Sequence, residues 1–300
     1  MSEKRRVLIC GGGLAGLSAA IALGRVGKPA DIVELASPEG AAISITTVDI
    51  GNTIEALENA DDAVHVTFRN GARRTYDLVI GADGIASRVR TLVHGEAIQP
   101  VYTGHMGFRC VFQDGPPGAP GFYALPDSTM VAMTRLPGGL VYLATGIDME
   151  DRFVSQAEAR QLLRDILERY SAPLLVALRA RLNSEQEAFV IARPDHWLMV
   201  PEPWHRGRVA LIGDAAHATT AHLAFGGGMA LEDSVVLAQE LRLDPHPGAS
   251  LDRFEKRRVS RTRLVVESSV ELLRLQQAHA STEASAAIRA RAVATLAQPY

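Results

Sequence analysis

Three glycine-and-acid patterns in this chain have the residue types needed to hold one extended, phosphate-bearing ligand. The first is Gly11-Gly12-Gly13-Leu14-Ala15-Gly16, which follows the apolar run Val7-Leu8-Ile9-Cys10 and opens a helical pattern. Gly11 permits a tight turn, Gly13 lets a pyrophosphate approach the backbone, and Gly16 lets helix and strand close together, while the helix N-terminus offers unpaired N–H groups to phosphate. Glu34 ends the next strand pattern, where a carboxylate can accept hydrogen bonds from both ribose hydroxyls of an adenosine. An acid there also repels a 2′-phosphate, so the tightly held nucleotide is expected to be FAD or NAD rather than NADP. Alone, a glycine turn of this kind also serves packing, and only its context makes it informative.

The second pattern is Asp83-Gly84, reached through the buried run Leu78-Val79-Ile80 at the carboxyl end of a strand, the place where open α/β sheets bind ligands. Asp and Gly also favour turns for their own sake. The third, Gly213-Asp214, repeats the arrangement after Val209-Ala210-Leu211-Ile212 and runs into Ala215-Ala216-His217-Ala218.

Arg208 to His217, reading RVALIGDAAH, together with Gly226-Gly227-Gly228 and Ala230-Leu231-Glu232-Asp233, closely resembles the flavin-ribityl motif of the class A flavoprotein monooxygenases, the family of p-hydroxybenzoate hydroxylase. Asp83-Gly84 with Ser87 and Arg90 resembles that family's DGxxSxxR motif, and the three motifs occur in the family's order across most of the chain. The resemblance implies roles residue by residue. Gly11, Gly13, Leu14, Ala15 and Gly16 would lie against the FAD pyrophosphate and Glu34 on the adenosine ribose. Asp83, Gly84 and Arg90 would serve flavin and incoming pyridine nucleotide, while Gly213 and Asp214 would hold the ribityl chain. A helix beginning near Gly228, with Gly226, Gly227 and Met229, would aim its positive end at the flavin pyrimidine edge. The implied chemistry is reduction of FAD by NADH or NADPH, addition of O2 at the flavin C4a carbon, and transfer of oxygen from the hydroperoxide to an aromatic or heteroaromatic substrate. The cofactor would carry the reactive atom, so no side chain is assigned a catalytic role.

Two further positions are candidates for the substrate, Arg109 in the strand pattern Phe108–Phe112 and Ala221, which stands where the family commonly has a proline near the flavin. A strand arginine is more often a surface residue, and His217, in the first turn of a helix, is more often structural than catalytic. The Met and aromatic positions 106, 108, 112, 122, 123, 130 and 133 can line an apolar pocket or pack a half-buried sheet, and packing is the favoured reading.

The pattern departs from the family between Glu34 and Asp83, which stand only 49 positions apart. Gly40-Ala41-Ala42-Ile43-Ser44 resembles the segment after the family's second strand and Val48 to Val66 a strand pair found much later, so a junction is expected near residues 44–48. The absent stretch would have carried an arginine contacting FAD and strands completing the substrate-domain sheet. No arginine occurs between Arg25 and Arg69, so charge-assisted phosphate contacts are expected to be fewer and strand edges more exposed. Phe225 also occupies a usually small or polar site. Two alternatives follow: a truncated, weakly active or non-catalytic FAD-binding remnant, and a flavin reductase or dehydrogenase.

The elements that must position these residues alternate as strand and helix near both ends of the chain, with an all-strand stretch between. The expected class is α/β: a Rossmann-type FAD-binding domain interrupted by a smaller, mostly β substrate domain, with C-terminal helices. The boundaries are residues 1–100, 101–193 and 194–300. A capping box at Ser155 and Glu158 predicts a helix over the inserted sheet. Hydrophobic residues make up 47% and charged residues 22%, ordinary for a globular chain, and a net charge of −3 gives no argument for nucleic acid. No run of about twenty apolar residues supports a membrane span. The only cysteines, Cys10 and Cys110, build neither a disulfide framework nor a metal site, so no metal and a cytoplasmic location are expected. Substrate identity, the choice of NADH or NADPH, and any homo-oligomer are left open.

Overall fold

The computed structural model describes residues 7–35, 48–113, 115–116, 118–126, 129–183, 188–244 and 246–300. The segment Gly40–Ser44 and most of the expected junction lie outside the described residues. In chain order the first elements are the strand Val7–Cys10 (β1), the helix Leu14–Arg25 (α1), the strands Ala30–Glu34 (β2), Val48–Ile50 (β3), Ile54–Asn59 (β4), Val64–Phe68 (β5), Arg73–Tyr76 (β6) and Leu78–Gly81 (β7), and the helix Arg88–His94 (α2). Then come the strands Val101–Phe112 (β8), Gly121–Ala124 (β9), Met130–Arg135 (β10) and Val141–Asp148 (β11), the helices Gln156–Glu168 (α3) and Pro173–Arg181 (α4), and the strand Ala188–Trp197 (β12). The chain closes with His205–Arg206 (β13), Val209–Leu211 (β14), and the helices Asp214–His217 (α5), Gly226–Leu243 (α6), Pro247–Gln277 (α7) and Thr282–Leu296 (α8).

Two compact units result: Met1–Val101 with Trp197–Leu272 and Ala286–Tyr300, and Tyr102–His196 with Leu273–Ser285. The first is built on a six-stranded sheet in the order β13-β14-β7-β1-β2-β3. Central β1 pairs parallel to β2 (Ile9 with Ile32) and to β7 (Ile9 with Ile80). All four residues of β1 and all four of β7 are buried, the uninterrupted apolar signature of parallel strands covered on both faces. Fully burying each large aliphatic side chain there contributes about 1.5–3 kcal/mol. Residues 48–50, expected to belong to a separate strand pair, instead add β3 to the outer side of β2. The separate antiparallel element comprises β4, β5 and β6, with Asn70-Gly71 at the β5–β6 turn and Gly71 at φ 83°.

In the second unit the sheet order is β12-β8-β11-β10-β9. Strand alternation sends Met106, Phe108, Cys110 and Phe112 of β8 into the core shared with Leu163, Ile166 and Leu167 of α3 and Leu174, Leu175 and Leu178 of α4. The Ser155 hydroxyl accepts from the Glu158 N–H at 3.3 Å and starts α3, as its capping box predicts. α4, which the sequence reading omits, starts with Pro173 in its first turn, a favoured position because that N–H has no helical partner. Of the Met and aromatic positions, 106, 108, 112 and 133 are core and Tyr123 packs against it. Phe122 and Met130 lie on the opposite, open face of this sheet, and Phe122 is 76% exposed. The two edge strands leave Phe122, Phe189 and Ile191 exposed.

No described helix is long and apolar enough to cross a membrane, and the described residues hold no group of three or more His, Cys, Asp or Glu suited to a metal. Cys10 and Cys110 are buried free thiols; burial pushes both up, Cys110 to about 12.

Candidate functional site

The glycine turn of the first unit is the point on which the other two motifs close. Gly11 has φ +109°, and a Cβ there would stand 2.2 Å from the Ala82 carbonyl oxygen, just before Asp83. At Gly16 a Cβ would stand 1.9 Å from the Gly11 oxygen. Gly213, at φ +58°, brings its turn so close that a Cβ would meet the Ala15 Cβ at 2.9 Å, and at Gly227 one would meet Leu14 Cδ2 at 3.1 Å. Gly13 differs: a Cβ there meets nothing within 4 Å. Gly13 is the N-cap of α1 and gives it no side-chain cap, and the first intrahelical bond runs from the Leu17 N–H to the Gly13 carbonyl. The N–H groups of Leu14, Ala15 and Gly16 are therefore those a helix leaves without helical partners.

Glu34 completes the turn from the β2 side, its carboxylate accepting the Gly12 N–H. α1 and α6 are joined further along by the Ser18 and Ser234 hydroxyls, 2.6 Å apart.

Asp83 sits at the end of β7, accepting the Ser87 hydroxyl at 2.5 Å and the Val89 N–H at 3.1 Å. Burial pushes its carboxyl above the ordinary range, and these bonds partly offset that rise. Asp83 thus anchors the start of α2. Arg90 lies between the Asp83 loop and the Asp214 turn. Expected at the cofactor, its guanidinium is 2% exposed and donates to the carbonyls of Ile85 (2.7 Å), Ala215 (3.2 Å) and Ile98 (3.3 Å). It staples the Asp83 loop to the Asp214 turn.

Asp214 opens the one-turn α5 and presents an exposed side chain, although crowding by neighbouring protein raises its carboxyl, a rise that His217 opposes. Behind it, Asp233 of α6 is fully buried. One of its oxygens accepts the Gly213 N–H at 2.9 Å and His217 Nε2 at 2.6 Å, and the other accepts Arg258 Nε at 2.7 Å. Burial alone would push the Asp233 carboxyl up; His217, Arg258 and the Gly213 N–H together hold it below the usual carboxylate range. Arg258 also reaches Glu232 at 2.5 Å and the Met229 carbonyl at 3.3 Å. His217 is accordingly a buried structural partner.

α6 begins at Gly226, three residues before Met229. The Met229 N–H already bonds the Phe225 carbonyl at 2.9 Å, and its side chain is 1% exposed in the core. Met229, expected beside the flavin, is therefore an interior residue, and Gly226, Gly227 and Gly228 supply the first-turn N–H groups. The preceding loop carries exposed Ala221 and, at φ +60°, Ala224, a conformation that a side chain occupies only when its surroundings enforce it. Arg289 of α8 pins this loop through the His222 carbonyl at 2.6 Å.

In the second unit Arg109 lies half-buried on the open face of the sheet, opposite Ala144. Two groups that sequence reasoning missed lie on that face. Asp195 places its carboxyl so that a Cβ on Gly107 would be 3.3 Å away; burial raises it, against the pull of His105, Arg109 and His196. His105 is buried with Nδ1 2.9 Å from Asp148. The available signal was the period-two alternation that puts His105, Gly107 and Arg109 on one face of β8.

Comparison with known proteins gives the family. The FAD binding domain family matches residues 37–269. The FAD-dependent urate hydroxylase of Klebsiella pneumoniae is 30% identical over 233 residues, covering 73% of this chain and 57% of that protein. For 3-hydroxybenzoate 6-hydroxylase 2 of Aquipseudomonas alcaligenes the identity is 31% over 232 residues, 75% of this chain and 71% of that protein. The crystal structure of Klebsiella pneumoniae HpxO with FAD and uric acid superposes with a TM-score of 0.77 at 24% identity, covering 90% of this chain and 88% of that one, a likeness of fold. The chain thus spans little more than half the length of the urate hydroxylase. With a family match over most of its residues and the three motifs gathered at one helix terminus, the chain belongs to the FAD binding domain family, among the class A flavoprotein monooxygenases.

Proposed function

We propose that this chain is an FAD-dependent monooxygenase that uses NADH or NADPH and O2 to hydroxylate an aromatic or heteroaromatic small molecule. The observation that carries this reading is the gathering of the Asp83 loop, the Gly213-Asp214 turn and the start of α6 around the uncapped end of α1, with no atom within 4 Å of where a Gly13 side chain would stand. In this reading the first unit is a Rossmann-type FAD-binding domain, the second an inserted substrate domain.

The residues present fit the cofactor. The N–H groups of Leu14, Ala15 and Gly16 would take the pyrophosphate, whose approach the missing Gly13 side chain permits. Glu34, already beside the glycine turn, would hold the adenosine ribose, and exposed Asp214 the ribityl hydroxyls. Asp83 and Gly84 would border the incoming pyridine nucleotide. With no arginine between Arg25 and Arg69, neutralisation of the pyrophosphate falls to backbone N–H groups and the α1 dipole. When bound, FAD supplies electron transfer from the nicotinamide and activation of oxygen. The protein's part is to place charge: the first-turn N–H groups of Gly226, Gly227 and Gly228 would favour negative charge on the ring they face. On the substrate side the open face of the second unit's sheet offers Phe122, Met130 and Ala132 as an apolar surface, with Arg109 as the polar handle.

The test is turnover of FAD-loaded protein with NADH or NADPH under 18O2, offering urate and 3-hydroxybenzoate, the compounds named for its relatives, beside a panel of phenols and hydroxypyridines. A hydroxylated product carrying one 18O atom is the expected result. Reduced nicotinamide consumed only into hydrogen peroxide, with no labelled product from any compound, would instead identify a flavin reductase.

A further inference from the structure

The turn bearing Asp214 is held at both ends by a single atom. Oδ2 of Asp233 accepts the N–H of Gly213, immediately before the turn, at 2.9 Å, and Nε2 of His217, its last residue, at 2.6 Å. A four-residue helix has too few internal hydrogen bonds to fix its own orientation; Arg90 and the Val200 N–H hold its middle through the Ala215 and Ala216 carbonyls, and Asp233 is the side chain that bonds both its ends. The other Asp233 oxygen is fixed by Arg258 Nε at 2.7 Å, and Arg258 is itself fully buried and tied to Glu232. The His217 ring is further confined by Trp204, with centroids 5.2 Å apart. Within the turn that Asp233 holds, the exposed side chain is that of Asp214.

We propose that Asp233 is a positioning residue for cofactor binding: by clamping both ends of the Gly213–His217 turn to α6 and α7, it aims the Asp214 carboxylate at the cofactor. This rests on the FAD-binding reading above. Arg258 serves by holding the Asp233 carboxylate in place, and His217 by presenting Nε2 to it. Asn at position 233 retains one acceptor oxygen but replaces the other with an NH2 donor, which cannot accept from the Gly213 N–H or from Arg258. Partners that orient a ligating group commonly carry about 10- to 100-fold of its affinity.

A double-mutant cycle tests the claim on the full chain. FAD dissociation constants are measured for wild type, Asp233→Asn, Asp214→Ala and the pair, and hydrogen exchange of the Gly213 amide is followed in each without FAD. The expected result is that Asp233→Asn weakens FAD about 10-fold or more and that the double variant binds no more weakly than Asp214→Ala alone, because the two substitutions remove one interaction. A purely structural role would give losses that multiply, and that outcome overturns the proposal. The Gly213 amide should be protected in wild type and in Asp214→Ala and exchange rapidly in Asp233→Asn; protection retained in Asp233→Asn also overturns it. Should Asp233→Asn fail to fold, His217→Ala removes one end of the clamp and must show the same non-additivity at smaller amplitude. If wild type takes no FAD, the functional reading fails, while the exchange measurement still decides whether the clamp exists.

Discussion

Alanine at Gly13 is expected to yield a folded protein that binds FAD much more weakly, whereas alanine at Gly16 is expected to take away much of the protein's stability. The two glycines share one motif and differ in what surrounds them. At Gly16 the new methyl would stand 1.9 Å from the Gly11 carbonyl oxygen and 3.2 Å from Ile9 Cγ2. Backbone cannot yield there without separating α1 from β1, so the cost should reach about 3 kcal/mol or more, a large share of the roughly 5–15 kcal/mol that keeps a domain folded. At Gly13 the methyl meets no protein atom within 4 Å and the backbone, at φ −77°, suits any residue. Folding should therefore change by about 1 kcal/mol or less. The same methyl would occupy the side from which a pyrophosphate must approach the N–H groups of α1. Losing one or two charge-assisted bonds of about 1.5–3 kcal/mol each should weaken FAD by roughly 10- to 100-fold or more. Thermal melts and FAD titrations on both variants separate the outcomes. Equal stability for the two, or undiminished FAD affinity in Gly13→Ala, would show that the turn is packed for its own sake.

Removal of the Arg258 side chain is expected to be the most damaging change away from the glycine turn. Arg258→Ala would leave the wholly buried Asp233 carboxylate with His217 and one N–H as its remaining partners. Breaking a buried pair from one side costs about 3–5 kcal/mol, since the surviving charge keeps its desolvation penalty. Chemical denaturation at neutral pH measures this directly, and a loss below about 1 kcal/mol, the range of exposed ion pairs, would contradict it. The sign of the pH dependence also follows. Folding holds the Asp233 carboxyl below its ordinary range, so its contribution is complete above the unfolded carboxyl's titration near ~3.9 and disappears as pH falls through the lower, folded value. Wild type and Arg258→Ala should therefore differ most near neutrality and converge in strong acid.

Much of the site could be deduced from the linear chain because its signals are local. A glycine turn after four apolar residues, an acid closing the following strand and a Ser155-to-Glu158 capping box each lie within a few residues, and each appears in the structure where its spacing puts it. Arg90 and Asp233 both lie in the motifs, but their bonding was not legible because their partners are remote in sequence: Arg90 bonds Ala215, and Asp233 bonds Arg258 from the neighbouring helix. The start of α6 differs from the expected one by two residues. Starting α6 at Gly226 rather than near Gly228 moves Met229 from an end with free N–H groups to a position already bonded and packed. β3 has three residues, too few for periodicity to choose its sheet. Asp195 became visible only once β12 was seen beside β8, where Gly107 leaves room for its carboxyl.

The central claim is that one flavin is gripped by loops far apart in the chain, and an equilibrium titration of the purified protein with FAD, followed by visible absorption and flavin fluorescence, tests it most directly. The expected result is saturation at one FAD per chain with a perturbed flavin spectrum, and roughly tenfold or greater weakening in both Gly13→Ala and Asp214→Ala, which alter two separate loops by the equivalent of about 1.5–3 kcal/mol each. Wild-type protein that folds yet leaves the FAD spectrum unchanged, or two variants that bind as wild type does, would contradict the account.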